Sequence, residues 1–134
     1  LKIVMPPKVF PVNSVKAMRG CIWLDQQARP APDAPSPMVP FAAAVFEAYW
    51  AREEDISQDG VLAGICSQLG IDAPALLAAI GQPAIKDQLK ANTEEVIRRG
   101  GFGSPTMFVG DDMYFGNDRL VLVCEAVLRR RPAP

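Results

Sequence analysis

The sequence predicts an α/β chain that is mostly helical and carries one β-hairpin followed by a last helix. Three observations predict it. Apolar residues recur at helical spacing through most of the chain, in runs broken by glycine or proline. Near the C-terminus, Thr106–Val109 and Met113–Phe115 are rich in β-branched and aromatic residues and flank Gly110-Asp111-Asp112, which reads as a turn between two strands. After Gly116, Leu120, Val121, Cys124, Val127 and Leu128 return to one helical face, with Asn117 as the expected N-cap.

Taken in order, Leu1 to Pro11 is punctuated by Pro6, Pro7 and Pro11 and reads as an extended lead-in whose Ile3-Val4-Met5 patch suits a strand. Ser14 offers an N-cap to a helix through Val15, Met18 and Ile22. Residues 29 to 40 carry prolines at 30, 32, 35, 37 and 40, which excludes helix interior and suits a stiff loop. Phe41, Val45, Phe46, Tyr49 and Trp50 then form an aromatic stripe on one helical face, serving either as core or as the wall of a pocket. Ser57 is placed to cap a helix through Val61, Leu62, Ile65, Cys66 and Leu69, with Gly70 as its left-handed stop. Asp72 opens a short helix ending at Gly81, and Pro83 sits in the first turn of a longer one. That helix turns Ile85, Leu89, Val96 and Ile97 inward and its charged residues outward up to Arg99, before Gly100-Gly101 break it. The arginines 129–131 suit a helix C-terminus.

Composition narrows the function. The chain has 134 residues, enough for a domain with its own core, and a net charge of −1, which gives no electrostatic case for nucleic acid or an anionic membrane. No apolar run reaches the roughly 20 residues that span a bilayer, and Leu1 to Met5 is too short for a signal peptide. Histidine is absent, so histidine-based hydrolase chemistry is excluded within the chain and no metal site is expected. Cys21, Cys66 and Cys124 form no Cys-x-x-Cys pair, each falls on an apolar helical face that suits core packing, and three unpaired thiols point to the reducing cytoplasm.

The stretch Gly103-Ser104-Pro105-Thr106 through Phe115-Gly116-Asn117-Asp118-Arg119-Leu120 carries a resemblance. It is similar to the C-terminal end of the 2-hydroxychromene-2-carboxylate isomerase family, related to the kappa-class glutathione transferases and to DsbA-like thioredoxin-fold proteins. The resemblance covers essentially the whole chain but about two-thirds of a family member. It implies a thioredoxin-like fold of DsbA/kappa type. Residues 1–100 would be the lead-in plus an all-helical insertion, and residues 101–134 the hairpin and final helix of the thioredoxin-like domain. The N-terminal strand-helix-strand, with the Ser or Cys that faces the glutathione sulfur, is expected upstream of Leu1.

The resemblance also implies a function: glutathione serves as cofactor, its thiolate adding reversibly to an aromatic-degradation intermediate so that a ring opens, a bond rotates and elimination gives the isomer. In the family the proline matching Pro105 is cis, and a Ser-Pro bond is a place where cis costs little. Ser104 would then offer its backbone N–H and C=O to the cysteinyl part of glutathione, as an extended peptide pairs with a strand edge. Asn117 and Asp118 would take the γ-glutamyl end, the helix start receiving its carboxylate and Asp118 its ammonium. Asn13 falls where the family's cleft lies and is a candidate substrate contact, although locally Asn13 and Ser14 read equally as helix caps. The expected partner is a small aromatic substrate, with room for a homodimer. Two other readings stay open. A DsbA-like thiol–disulfide oxidoreductase would need Cys-x-x-Cys upstream, and a non-catalytic interaction module would use the hairpin's strand edge.

Overall fold

The computed structural model describes residues 3–27 and 34–130. It contains six α-helices and one two-stranded sheet in these residues: α1 (Val15–Asp25), α2 (Met38–Arg52), α3 (Asp59–Leu69), α4 (Ala73–Ala79), α5 (Pro83–Arg98), β1 (Thr106–Val109), β2 (Asp112–Phe115) and, after a 3-10 turn at Asn117–Arg119, α6 (Leu120–Arg130). Packing divides the chain into two compact units, Leu1–Lys90 and Ala91–Pro134. No helix among the described residues is long and apolar enough to cross a membrane.

In the first unit α1 to α4 enclose one apolar core, in which Phe41, Leu62, Ile65, Cys66 and Leu76 are fully buried. The aromatic stripe of α2 divides accordingly. Phe41, Val45 and Tyr49 point into this core, whereas Phe46, one step around the helix from Val45, is 62% exposed. The lead-in forms no strand over Ile3–Pro11. It is held at two points on α2, by the Val4 N–H donating to the Trp50 carbonyl (2.8 Å) and by the Tyr49 hydroxyl donating to the Val9 carbonyl (3.0 Å). Peptide bonds 5–6, 10–11 and 104–105 are cis.

Several helix ends differ from expectation. Ser14 precedes α1 without a side-chain cap; the Asn13 carboxamide oxygen accepts the Val15 N–H instead (3.0 Å). Ser57 lies in the turn before α3, where its N–H and hydroxyl both go to Asp55, so Gln58 takes the capping position. Those bonds hold the Asp55 carboxyl below the usual carboxylate range. Asp72 does cap α4, accepting the Ala75 N–H at 2.9 Å, and Gly70 closes α3 with φ +68°. The proline-rich loop gives way to helix earlier than expected: α2 starts at Met38 and takes Pro40 into its first turn, where a missing N–H costs nothing. The expected loop residues 29–33 lie outside the described residues.

The second unit contains the hairpin. Its register pairs Thr106 with Phe115 and Val109 with Asp112, so Asp112 belongs to β2 and the turn is Gly110–Asp111. On α5, Ile85 is buried, but Val96 and Ile97 are 39% and 67% exposed and do not point into a core as expected. On α6 only Ala126 is buried, while Val121 and Leu128 are largely exposed and Cys124 is exposed. The expectation of a core role thus holds for Cys66 and not for Cys124.

Candidate functional site

The geometry of interest is at the open end of the hairpin. The Gly116 N–H donates to the Pro105 carbonyl at 3.0 Å, which extends the ladder one step beyond the Thr106–Phe115 pair. Residues separated by about ten positions in sequence are thereby neighbours: Ser104-Pro105 on one strand end and Asn117-Asp118 on the other. All four are exposed.

Local packing fixes the two ends. The Thr106 hydroxyl donates to the Gly103 carbonyl at 2.6 Å, tying the residues before the strand into a turn. Gly103 lies against the ring of Phe115: a β-carbon there would come within 2.6 Å of Phe115 Cε2, so a larger residue would require this exposed ring to move. Phe102 covers the same ring, with centroids 4.6 Å apart. On the opposite end Gly116 takes φ +101°, outside the range that side-chain-bearing residues adopt easily, and turns the chain into the 3-10 segment. Asn117 therefore starts a 3-10 turn and does not cap α6 directly, and no side chain caps that turn. Asp118 sits in this turn, its carboxylate 3.6 Å from Arg119 Nε. Both side chains are more than half exposed, so the pair is a weak one that water and ligands can replace.

Asn13 belongs to the other compact unit. It lies at the start of α1, where it caps Val15 and also borders a cleft of about 560 Å³ with Val15, Lys16, Arg19, Ser57 and Gln58. The sequence pattern marks Val15 and Ser57 only as helix residues and passes over Lys16, Arg19 and Gln58, although the spacing of Lys16 and Arg19 (i, i+3) signals two cations on one helix face. Among the described residues no three His, Cys, Asp or Glu side chains are arranged to hold a metal.

The comparisons with known proteins agree with this architecture. A 2-hydroxychromene-2-carboxylate isomerase of Pseudomonas putida is 30% identical over 125 residues, and one of Sphingobium xenophagum is 29% identical over 114. Human glutathione S-transferase kappa 1 is 36% identical over 81 residues, covering 55% of this chain and 36% of that protein. A solved structure of 2-hydroxychromene-2-carboxylate isomerase superposes with a TM-score of 0.69 at 28% identity, over 92% of this chain and 58% of that one. The two bacterial isomerases match over 85% and 92% of this chain, which spans 55% and 58% of their lengths. Residues 1–127 match the DSBA-like thioredoxin domain, and the helices, hairpin and final helix described above form part of that fold. By sequence and by structure the chain belongs to the DSBA-like thioredoxin domain family.

Proposed function

We propose that this chain works in a glutathione-dependent isomerase of aromatic-degradation intermediates, of the kind that acts on 2-hydroxychromene-2-carboxylate. The observation that carries the reading is the Gly116–Pro105 hydrogen bond, which sets Ser104-Pro105 beside Asn117-Asp118 on an exposed hairpin end. Glutathione is an extended zwitterionic tripeptide. The exposed Ser104 backbone offers its cysteinyl part a strand-like partner, and Asp118 offers an opposite charge to its γ-glutamyl ammonium. The kinship with isomerases and with a kappa-class glutathione transferase supports the same choice. In this reading Asn13 contacts the aromatic substrate, and a Ser or Cys outside these 134 residues faces the thiol.

The test is calorimetric titration of glutathione into the complete protein that contains this chain and into its Asp118→Ala variant, with substrate conversion by that protein followed by absorbance with and without glutathione. The expected result is saturable binding that Asp118→Ala weakens by about tenfold or more, equivalent to about 1.4 kcal/mol, with the fold unchanged by circular dichroism. Unchanged affinity removes Asp118 from the site. Conversion that proceeds equally without glutathione overturns the reading.

A further inference from the structure

Two aromatic rings stand at the open end of the hairpin, and burial does not account for their packing. Phe102 precedes Gly103-Ser104-Pro105 and Phe115 leads into Gly116-Asn117-Asp118; the two ring centroids are 4.6 Å apart with the planes tilted by 45°. Phe102 is 71% exposed and Phe115 41%, so the pair removes little apolar surface from water and adds little to folding. What the contact does is geometric. It joins the chain just before one half of the candidate site to the chain just before the other half, with Gly103 against the same Phe115 ring.

Three further contacts carry that connection into the site. The Thr106 hydroxyl donates to the Gly103 carbonyl at 2.6 Å, closing the turn that holds Ser104-Pro105. The Gly116 N–H donates to the Pro105 carbonyl at 3.0 Å. A β-carbon on Gly116 would lie 2.6 Å from Asp118 Oδ1, so the Asp118 carboxylate folds back over Gly116 and the end of the ladder. The Ser104 backbone and the Asp118 carboxylate are therefore mounted on one short frame that the ring pair closes. A ligand that reaches both groups gains from being held twice only while the frame keeps them at the ligand's own span. A ligand that uses one group gains nothing from the frame.

We propose that Phe102 and Phe115 are positioning residues of the glutathione site: their ring contact sets the span between Ser104 and Asp118 across which one tripeptide is held at both ends. The role rests on the glutathione reading and deepens it, and the test separates the two. The complete protein that contains this chain, labelled with ¹⁵N, is titrated with glutathione and with two half-ligands, following the amide signals of Ser104 and Asp118. The half-ligands are N-acetylcysteinylglycine for the Ser104 end and γ-glutamylmethylamide for the Asp118 end. Phe102→Ala is expected to weaken glutathione about fivefold, the scale of one lost aromatic pair, while each half-ligand keeps its affinity within about twofold. Phe102→Tyr, which keeps the ring, is expected to restore glutathione binding, and exchange of the Gly116 amide is expected to quicken in Phe102→Ala. Four results overturn the positioning role and leave the glutathione reading standing: unchanged glutathione affinity or unchanged Gly116 exchange in Phe102→Ala, half-ligands weakened as much as glutathione, or no recovery in Phe102→Tyr. Glutathione that fails to bind the unmodified protein overturns that reading and the positioning role with it. Should Phe102→Ala fail to fold, Phe102→Leu, which keeps apolar bulk without the ring, decides the same comparisons.

Discussion

The Tyr49 hydroxyl donates to the Val9 carbonyl across forty residues of sequence, at 3.0 Å. Tyr49 is otherwise a core residue, so one side chain both fills the first unit and anchors the proline-punctuated lead-in to α2. Tyr49→Phe keeps the ring and removes the donor. The expected cost is about 1 kcal/mol in urea unfolding. Faster proteolytic cleavage between Ile3 and Pro11 should accompany it, and cleavage at the unmodified rate would show that the bond does not hold the lead-in.

Gly20 supplies a second constraint. It is buried on α1, and a β-carbon there would lie 3.2 Å from Phe41 Cε1 and 3.6 Å from Leu76 Cδ1. The absence of a side chain lets the Phe41 ring sit against α1. Gly20→Val is expected to destabilise by about 2 kcal/mol through overpacking, and Leu76→Ala by about 3 kcal/mol through the cavity it leaves. The Phe41 ring can relax into that cavity, so the double variant should cost clearly less than the sum. Strict additivity in a double-mutant cycle would show that the two sites do not share the ring.

These two contacts mark where the sequence was informative and where it was not. Helical periodicity, Gly70, Asp72 and the turn residues around Gly110 identified most elements, because each is decided within a few residues. Of the two expected caps of α1 the structure uses Asn13 and not Ser14, and before α3 Asp55 engages the N–H and hydroxyl of Ser57 in its own turn, so Ser57 does not cap that helix. Exposure failed more broadly. Val96, Ile97, Val121 and Leu128 recur at helical spacing, but periodicity says only that a face is apolar, not what covers it. At the hairpin end Ser104, Pro105, Asn117 and Asp118 could be named only through the family resemblance carried by residues 103–120, since their pairing across the hairpin depends on the strand register. The Arg19 cleft was not legible, as it joins the start of α1 to the turn between α2 and α3.

In the second unit the Arg99 guanidinium lies over the Phe108 ring, 3.8 Å from its centroid. Arg99 also donates to the Gly110 carbonyl and pairs with Glu95 at 3.5 Å, so it links the end of α5 to the hairpin. Lysine keeps the charge but lacks the planar fork that stacks and donates together. Arg99→Ala is expected to destabilise the hairpin by about 1–2 kcal/mol, and Arg99→Lys to recover less than half of that loss. Amide hydrogen exchange across Thr106–Phe115 reads the effect locally, and exchange unchanged in Arg99→Ala would remove the residue from the hairpin's support.

The cysteines give a pH-dependent prediction. Burial pushes the Cys21 thiol up from its ordinary 9.0 to about 11, and raises Cys66 in the same direction. A thiolate is the reactive form, so at pH 8 the exposed Cys124 should react with a disulfide reagent at least about tenfold faster than Cys21 or Cys66 in the folded chain. Stability follows with a definite sign. Below pH 9 the Cys21 thiol is protonated both folded and unfolded, and its contribution is fully present. As pH rises from 9 towards about 11, the unfolded chain releases that proton while the folded chain still holds it, so unfolding becomes progressively more favourable. Other groups titrate in this range, so the decisive quantity is a difference. Cys21→Ala should lose less stability than the unmodified chain between pH 8 and 11, and superimposable pH profiles of the two in urea unfolding would show that burial of this thiol contributes nothing.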